Sequence, residues 1–459
     1  FEKLPFAKET IEVWGNTDPR NRNWPVVYTI FNDKQIYVGE TTNAASRLGQ
    51  HLGSQSKNGL KDVRVIFDDS FNKSVCLDLE SHLIRYFAAD EKFNVLNGNG
   101  GISDADYFER DKYREAFKTV FDELLESGML TRSVPEIVNS DLFKYSPFKA
   151  LNTEQAVAIN EILEGLLPVI KQDPGQTFVV QGDPGTGKTI VAVYLMKLLN
   201  DIEHATDEDA LESNSVFSDF FLEGYKEALH GAKIGLIVPQ QSLRKTIKKV
   251  FDRTPGLSAD QIMKPAEAVK SGEYFDLLIV DEAHRLRMKS GMFKNLGESQ
   301  TKEIIHSSKL SVFFIDEAQK VTWSDVGEIS RIKAYAAKMR ADVEILELIS
   351  QFRCGGSDDY MAWLDDTLGL QDVPENYFSR DKFDFKIFDS AIDLHDEIRI
   401  KNRESNKARM VAGYCWNWVS KKAPTSFDIE LEQGEYKVRW NLASYGNEWI
   451  INPKSVDEV

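Results

Sequence analysis

The feature that most constrains the fold is a glycine-rich loop between a strand-like run and a helix-like run. An apolar run at 177–181 precedes the loop, and a longer apolar run (IVAVYLMKLL) follows it. Glycines let a backbone wrap closely around a phosphate, and the free N–H groups at a helix start attract an anion. This order predicts a phosphate-binding P-loop, made of Gly182, Asp183, Pro184, Gly185, Thr186, Gly187, Lys188 and Thr189.

Two carboxylates downstream complete the chemistry that such a loop requires. An apolar strand-like run at 276–280 ends in Asp281 and Glu282. Lys188 is expected to reach the β- and γ-phosphates of ATP, and Thr189 and Asp281 to hold Mg²⁺. We expect Glu282 to polarise the attacking water, because that role needs a carboxylate close to the γ-phosphate.

The surrounding pattern alternates between strands and helices. Strand-like runs occur at 177–181, 234–238, 276–280 and 311–315, with helix-like segments between them. This alternation predicts an α/β fold with a mainly parallel sheet that is covered on both faces. The acidic segment 201–230 is expected to be a solvated surface helix, and 409–414 (RMVAGY) to be the first strand of a second α/β lobe.

Further segments resemble those of superfamily 1 helicases. They are LNTEQ at 151–155, PQQSLRKTIKKV at 239–250, FIDEAQ at 314–319 and QFR at 351–353. The resemblance implies that Gln155 reads the adenine edge, that Gln319 senses the γ-phosphate and that Arg353 reaches ATP from a second lobe. It also implies that 239–250 grips a nucleic-acid backbone.

Residues 146–459 more narrowly resemble the Schlafen group 3-like DNA/RNA helicase domain. The stretches SPFKALNTEQ, LLIVDEAHRL, VFFIDEAQKV and QFRC carry this resemblance. It implies a first RecA-like ATPase lobe at 146–345 and a partial second RecA-like lobe at 346–459. Two later motifs of that family do not appear before Val459, so we expect ATP binding more firmly than processive unwinding.

The N-terminal region reads as a small α/β unit joined to a helical linker. Strands are predicted at 25–31, 35–39 and 63–67, with helices at about 44–51 and 73–87. A turn at Asn32-Asp33-Lys34 separates the first two strands. We place the small domain at 1–103 and the helical linker at 104–145.

This small domain resembles the GIY-YIG nucleases. Val27-Tyr28-Thr29 and Tyr37-Val38-Gly39 are similar to the two halves of the signature, although its first Gly and Ile are absent. The resemblance implies a metal-dependent endonuclease whose functional residues are Tyr28, Tyr37, Arg47, His51, Glu80 and Asn94.

The chemistry of phosphodiester hydrolysis assigns roles to these residues. Glu80 is expected to hold one Mg²⁺ or Mn²⁺, and Arg47 to neutralise the scissile phosphate with its guanidinium group. Tyr28 is preferred to Tyr37 as the residue that activates water, helped by the other tyrosine or by His51. Asn97 is an alternative to Asn94, but its neighbours favour a turn.

Charge and composition limit the partners. The net charge of −17 does not favour a general nucleic-acid surface, so binding must depend on local basic patches. Two clusters are candidates, and an ordinary solvated face is as good an interpretation for the second: Arg244, Lys245, Lys248 and Lys249, then Arg285, Arg287, Lys289 and Lys294. For Trp416 and Trp418, core packing is favoured over a base-stacking platform.

The three cysteines, Cys76, Cys354 and Cys415, are far apart and lack metal-ligand spacing. This pattern favours a reducing, cytoplasmic compartment. No apolar run is long enough to span a membrane.

These observations predict a DNA-directed endonuclease that is coupled to, or regulated by, an ATPase, in genome defence or repair. DNA is preferred to RNA through the GIY-YIG resemblance. One alternative is an ATP-switched nucleic-acid-binding protein whose small domain does not cut, and another is a true helicase with an accessory nicking domain. GIY-YIG domains commonly cut one strand per active site, so double-strand cleavage would imply a homo-oligomer.

Overall fold

In the computed structural model, the chain folds into two compact units. The first joins Phe1–Arg132 to Asp141–Gly356, and the second joins Ser133–Ser140 to Ser357–Val459. Among the residues that the structure describes, no helix is both long and apolar enough to cross a bilayer. The described residues are 1–98, 107–171, 175–205, 217–222, 224–270, 272–289, 298–319, 325–350, 358–369, 384–405, 408–413, 415–440, 442 and 453–457.

The N-terminal part of the first unit is built on a five-stranded sheet. Its strands are β1 (Glu2–Pro5), β2 (Val26–Phe31), β3 (Gln35–Thr41), β4 (Asp62–Ile66) and β5 (Asn94–Val95). They lie in the order β1-β4-β2-β3-β5, and only the β3–β5 pair is parallel. Asn32 closes the predicted β2–β3 hairpin, because its Oδ1 accepts hydrogen bonds from the N–H groups of Lys34 and Gln35 at 2.9 and 2.8 Å.

Four helices accompany this sheet: α1 (Lys8–Trp14), α2 (Ala44–His51), α3 (Lys73–Asp90) and α4 (Arg110–Glu126). Asn43 and Asn72 cap α2 and α3, and each accepts a hydrogen bond of 3.1 Å from a first-turn N–H group. The strands and helices predicted between 24 and 100 are confirmed. The short elements β1, α1 and β5 were not predicted.

Helix α4 lies in the segment that the sequence suggested was a linker, and it packs on α3. Phe121 meets the ring of Tyr86 with centroids 4.8 Å apart. Arg114 donates to the buried Asp78 carboxylate at 3.0 and 3.1 Å. Apolar and ionic contacts together therefore fix α4 on α3. The next helices are α5 (Val134–Asn139), which belongs to the second unit, and α6 (Asp141–Lys144).

A six-stranded parallel sheet forms the rest of the first unit. Its strands are β6 (Gln176–Gly182), β7 (Ile234–Ile237), β8 (Ile262–Met263), β9 (Phe275–Val280), β10 (Ser308–Ile315) and β11 (Asp342–Leu348). They lie in the order β11-β6-β10-β9-β7-β8, and every pair is parallel. The arrangement is that of a RecA-like domain, and the four predicted strands are confirmed.

Helices cover both faces of this sheet. They are α7 (Thr153–Lys171), α8 (Lys188–His204), α9 (Tyr225–Leu229), α10 (Gln241–Arg253), α11 (Pro265–Lys270), α12 (Gln300–His306) and α13 (Ile329–Lys338). Along β6, Phe178 and Val180 join one buried apolar cluster while Val179 joins the other. A strand that is buried on both faces reads as a continuous apolar run, which explains why the sequence marked it clearly.

The acidic segment 201–230 is only partly a surface feature. Residues 206–216 lie outside the described residues. Phe217, Phe220 and Leu229 are all buried in the main core. The expectation of a solvated surface helix is therefore wrong for Phe217, Phe220 and Leu229, whereas Leu222 is exposed.

The second unit contains α14 (Asp358–Thr367), α15 (Ala391–Ser405), β12 (Ile429–Leu431) and β13 (Tyr436–Val438). β12 and β13 form an antiparallel pair. The strand predicted at 409–414 is not found at 408–413, and residue 414 lies outside the described part of the chain. Trp416 and Trp418 pack against the small core around Tyr436, as the core-packing interpretation expected.

Candidate active sites

The P-loop lies where β6 passes into α8. Gly185 and Gly187 have φ values of +96° and +84°, which glycine adopts without strain. A Cβ atom at Gly182 would lie 2.5 Å from Thr186 Oγ1. That hydroxyl instead donates to the Asp183 carbonyl at 3.0 Å, which closes the loop. The glycines are therefore required by the loop's backbone path.

Lys188 is held inside this loop. Its Nζ donates to the carbonyl oxygens of Gly182 and Asp183 at 2.6 and 2.9 Å and lies 3.7 Å from Asp316 Oδ2. Burial lowers the pKa of Lys188, and the charge of Asp316 opposes that shift most strongly. Phosphate oxygens are charged and accept hydrogen bonds more strongly than these carbonyl oxygens. The Lys188 ammonium can therefore exchange its carbonyl partners for the phosphates of a nucleotide.

The two predicted magnesium ligands meet each other directly. Thr189 Oγ1 donates to Asp281 Oδ2 at 2.8 Å, and the other oxygen of Asp281 accepts the N–H of Glu282 at 3.0 Å. Burial, and then the nearby charge of Glu282, raise the pKa of Asp281 to about 7. A nearby cation would stabilise the ionised form of the buried Asp281 carboxylate. The Thr189 hydroxyl and this carboxylate are oxygen donors of the kind that Mg²⁺ prefers.

Glu282 stands in a constrained conformation beside His284. Its φ is +51°, which is uncommon for a residue with a side chain. Nε2 of the fully buried His284 lies 3.0 Å from the Glu282 carboxylate. Burial raises the pKa of Glu282, but the His284 contact and nearby cations outweigh it, so the pKa is lowered overall. The carboxylate therefore stays ionised, as a group that polarises water requires.

The three predicted nucleotide sensors have different outcomes. Gln155 is buried, and its Nε2 donates to the Thr186 carbonyl at 3.0 Å, so it contacts the P-loop itself. Gln319 ends a single helical turn directly after Asp316 and is half-buried. Arg353 lies outside the described residues.

Two acidic residues near this site were not among the candidates. Asp316 ends β10 between the P-loop strand and β9, and it is 2 % exposed. Glu154 accepts the N–H groups of Ile349 and Ser350 at 2.8 and 2.9 Å, which ties the end of β11 to the start of α7. The signal for Asp316 was present, because β10 ends in Asp-Glu as β9 does. No local pattern marks Glu154.

The predicted basic stripe on α10 is divided between different partners. Arg244 donates to the carbonyl oxygens of Val238 and Pro239 at 2.7 and 3.1 Å. Lys249 lies 3.9 Å from Glu91, and Lys245 is exposed. In the second cluster, Lys294 lies outside the described residues.

A second constellation lies on the N-terminal sheet around Tyr28. Tyr28 is fully buried on β2, and its hydroxyl is 2.7 Å from Nε2 of His51 on α2. Gly39 lies opposite Tyr28 on β3, and a Cβ there would be 2.4 Å from the phenol oxygen. The glycine of Tyr37-Val38-Gly39 is therefore needed to make room for Tyr28.

Tyr37 lies on the same face of the sheet. Its ring centroid is 6.4 Å from that of Tyr28 and 5.0 Å from that of His51. Tyr37 is half-buried, whereas Tyr28 has no exposed surface. The ammonium of Lys57 lies 4.2 Å from the Tyr37 centroid, and sequence reasoning did not identify this lysine.

Electrostatics connect Arg47 and Glu80 to the same cluster. Burial raises the pKa of Tyr28 well above its usual value, the charge of Glu80 adds to this, and Arg47 opposes it. Burial and then the charge of Glu40 raise the pKa of Glu80 to about 8, and Lys73 and Arg47 oppose that shift. These mutual influences place five of the six predicted residues in one neighbourhood.

His51 is neutral at ordinary pH. Burial, followed by the charges of Lys57 and Arg47, lowers its pKa to about 3. Its Nδ1 is buried and has no hydrogen-bond partner among the described residues. The Tyr28–His51 pair is therefore a neutral phenol bound to a neutral imidazole.

Asn94 and Asn97 occupy different places. The Asn94 side chain is exposed, and its backbone pairs with the start of β3 at Gln35. Asn97 accepts the Val38 N–H at 3.0 Å and donates to the Val38 carbonyl at 2.8 Å. The geometry therefore favours Asn97, which anchors the chain beside Tyr37.

The donor set near Glu80 is small. Among the described residues, no three His, Cys, Asp or Glu side chains are grouped to hold a metal ion. Glu40 is ion-paired with Lys73 through one oxygen, while its Oε2 is buried with no hydrogen bond from the described residues. Glu80 fits an ion such as Mg²⁺ that keeps most of its water ligands and binds through one or two carboxylates.

Substitution of Gly327 by Ala is expected to slow ATP hydrolysis roughly a hundredfold, because it would displace the segment that follows Glu282 and so misplace the Glu282 carboxylate. A Cβ at this position would lie 1.8 Å from the Ala283 carbonyl and 2.7 Å from His284 Cα. Steady-state phosphate release measures the effect. Gly49→Ala is the control, since its Cβ would meet nothing within 4 Å. Equal turnover in all three proteins would contradict this geometry.

Binding of Mn²⁺ to the N-terminal site is expected to strengthen about tenfold per pH unit between pH 6 and 8, because the ion must displace a proton. The cause is the Glu80 pKa of about 8, above the usual value, so the carboxyl is mostly protonated at neutral pH. Electron paramagnetic resonance of free Mn²⁺, in Asp281→Asn protein without nucleotide so that the P-loop site lacks its carboxylate ligand, measures the affinity. A pH-independent affinity, or one unchanged in Glu80→Gln, would refute the assignment.

Comparison with known proteins supports the ATPase half of this description. A family model described as "Schlafen group 3, DNA/RNA helicase domain" matches residues 175–459. An uncharacterized protein of Saccharomyces cerevisiae, YPL245W, is 26% identical over 308 residues, which cover 61% of this chain and 63% of that protein. The chain thus spans somewhat less than two thirds of its curated relative.

A solved structure of Caenorhabditis elegans PCH-2 aligns with 79% of this chain and 77% of its own, at 11% identity and a TM-score of 0.21. A score that low does not indicate a shared fold. The family model, in contrast, covers more than half of the residues, including the P-loop, Asp281 and Glu282. The chain belongs to the Schlafen group 3 DNA/RNA helicase domain family.

Proposed function

We propose that this protein is a metal-dependent DNA endonuclease whose cutting is controlled by ATP hydrolysis in its RecA-like domain. The observation that carries the nuclease proposal is the convergence of five side chains from β2, β3, α2 and α3. They are Tyr28, Tyr37, Arg47, His51 and Glu80. Their types suit phosphodiester hydrolysis, which needs a cation for the phosphate, a proton acceptor for water and a metal ligand.

Each residue has a defined task in this proposal. Arg47 pairs with the scissile phosphate, because a guanidinium group matches phosphate oxygens with two hydrogen bonds. A metal ion held by Glu80 would supply Lewis acidity at the leaving oxygen. One of the two tyrosines accepts the proton of the attacking water, and neutral His51 holds Tyr28 through their hydrogen bond. Asn97, bound to both backbone groups of Val38, keeps β3 in position.

The ATPase task rests on the second site. Lys188 binds the β- and γ-phosphates, Thr189 and Asp281 hold Mg²⁺, and Glu282 orients the attacking water. Membership of a DNA/RNA helicase domain family supports a nucleic-acid partner. DNA is preferred to RNA by the GIY-YIG resemblance, and a role in genome defence or repair follows from joining a nuclease to an ATPase.

Helix α3 supports control of one site by the other within the first unit. It carries Glu80 near its middle and, near its end, Tyr86, whose ring lies 5.7 Å from that of Phe143 on α6. Directly after α3, Glu91 lies 3.9 Å from Lys249 of α10, a helix of the ATPase sheet. A shift of α10 during the ATP cycle would therefore act on the helix that carries the metal ligand.

Cleavage of supercoiled and linear DNA in Mg²⁺ tests the nuclease proposal. Glu80→Ala is expected to lose at least about a hundredfold in rate, because a metal contributes several kcal/mol to such a transition state. Glu115→Ala serves as the control, because Glu115 is an exposed glutamate on α4 that pairs with Lys118. DNA binding without cleavage by the wild-type protein would favour the ATP-switched binding protein instead.

A further inference from the structure

Lys57 is a buried cation inside the candidate nuclease site. It ends a short helical turn after α2, is only 6 % exposed, and holds its ammonium 4.2 Å from the centroid of the Tyr37 ring. Removing a charged amine from water is unfavourable unless neighbouring groups compensate. A lysine kept at such a position among titratable groups is a candidate for a functional role.

The two tyrosines differ in their access to water. Tyr28 has no exposed surface and is hydrogen-bonded to His51, whereas Tyr37 is half-buried. Burial holds the pKa of Tyr28 well above its usual value. Tyr37 faces Lys57 instead, and a cation over an aromatic ring stabilises negative charge that develops on that ring. Tyr37 is thus the better-placed phenol to meet a water molecule from solvent.

We propose that Tyr37, rather than Tyr28, is the catalytic residue that takes the proton of the attacking water, and that Lys57 is a positioning residue that stabilises the Tyr37 phenolate. This inference rests on the proposed nuclease function. It replaces the preference for Tyr28 that the sequence suggested. Tyr28 and His51, which are hydrogen-bonded to each other, instead pack against the Tyr37 ring and hold it in position.

The proton and the electron pairs balance in two steps. Tyr37 first releases its hydroxyl proton to solvent and becomes a phenolate. A water O–H bond then breaks as its proton passes to the phenolate oxygen, and the water oxygen forms a bond to phosphorus. The bond from phosphorus to the leaving oxygen breaks in the same displacement, and that oxygen takes a proton from solvent. Tyr37 is neutral again at the end.

The charges around the two phenols favour this direction. Lys57 lies over the Tyr37 ring, and Arg47 on α2 is the second cation. His51 is neutral because its pKa is near 3, and Glu80 on α3 is the acidic group whose charge acts on Tyr28. Lys57 and Arg47 are the cations beside this pair of tyrosines.

Titration of the phenol protons tests the pairing without any need for activity. Ring-labelled tyrosine is followed by nuclear magnetic resonance, and the Tyr37 signal is the one of the 15 tyrosine signals that is lost in Tyr37→Phe. We expect Tyr37 to titrate at least about one pH unit below ordinary tyrosine, and to move up by about one unit in Lys57→Met. Lys57→Arg is expected to keep the wild-type value.

A matched control is Lys92→Met. The Lys92 ammonium also lies over an aromatic ring, 4.8 Å from the centroid of Phe93. The Lys92→Met substitution therefore removes a comparable cation–π contact outside the cluster around Tyr37. The Tyr37 titration should not change in this variant. An unchanged titration in a folded Lys57→Met protein, or an equal shift in Lys92→Met, would overturn the inference.

Cleavage kinetics supply the second readout. The rate should rise with pH until the phenol is ionised, so Lys57→Met is expected to move this rising limb to higher pH by the same unit and to lower kcat more than it raises KM. Lys57→Arg should restore the wild-type profile. A wild-type protein that cuts no DNA would refute the proposed function alone, because the titration still decides the Lys57–Tyr37 pairing. Cutting with an unchanged profile in Lys57→Met would refute the inference alone.

Discussion

Withdrawing charged side chains from water is unfavourable, and both candidate sites depend on how the fold compensates for it. At the parallel sheet, Asp281 and Asp316 end neighbouring strands, and Lys188 is buried beside them. The ammonium lies 3.7 Å from one carboxylate and donates to loop carbonyls. A parallel sheet brings the ends of its strands to one edge, so this grouping follows from the fold.

The N-terminal site answers the same constraint by neutralising its groups. His51 and Tyr28 meet as an uncharged pair, and burial keeps Glu80 mostly protonated at neutral pH. Such a site gains when a cation or a phosphate arrives, because the new charge offsets the loss of water contacts. Lys57 and Arg47 are the cations of this site, and Lys57 is positioned over Tyr37.

The sequence predicted features that leave a local pattern. Four central strands of the parallel sheet are continuous apolar runs, and the P-loop has a fixed order of glycines, lysine and threonine. β11 was missed, because three acidic residues interrupt its apolar run (DVEILEL), as suits a strand at an edge of the sheet. The strand expected at 409–414 is not found at 408–413, where Met410 packs against the small core but Val411 is exposed.

Residues that act through the tertiary structure were the hardest to predict. Asn97 begins a turn-like sequence, yet it binds the backbone of Val38 on β3. Lys57 and Glu154 have no recognisable neighbours in sequence, and their partners lie 20 or more positions away. Spacing in the chain carries no information about such contacts, so only the folded structure identifies them.

The central claim is that one chain joins a nuclease to an ATPase that controls it. The direct measurement is the rate of DNA cleavage in Mg²⁺, with and without ATP, for the wild type, Lys188→Ala and Glu282→Gln. The account predicts that ATP changes the wild-type rate, that Lys188→Ala does not respond, and that Glu282→Gln holds the ATP-bound rate because it cannot hydrolyse the nucleotide. Equal rates in all three proteins, regardless of ATP, would contradict it.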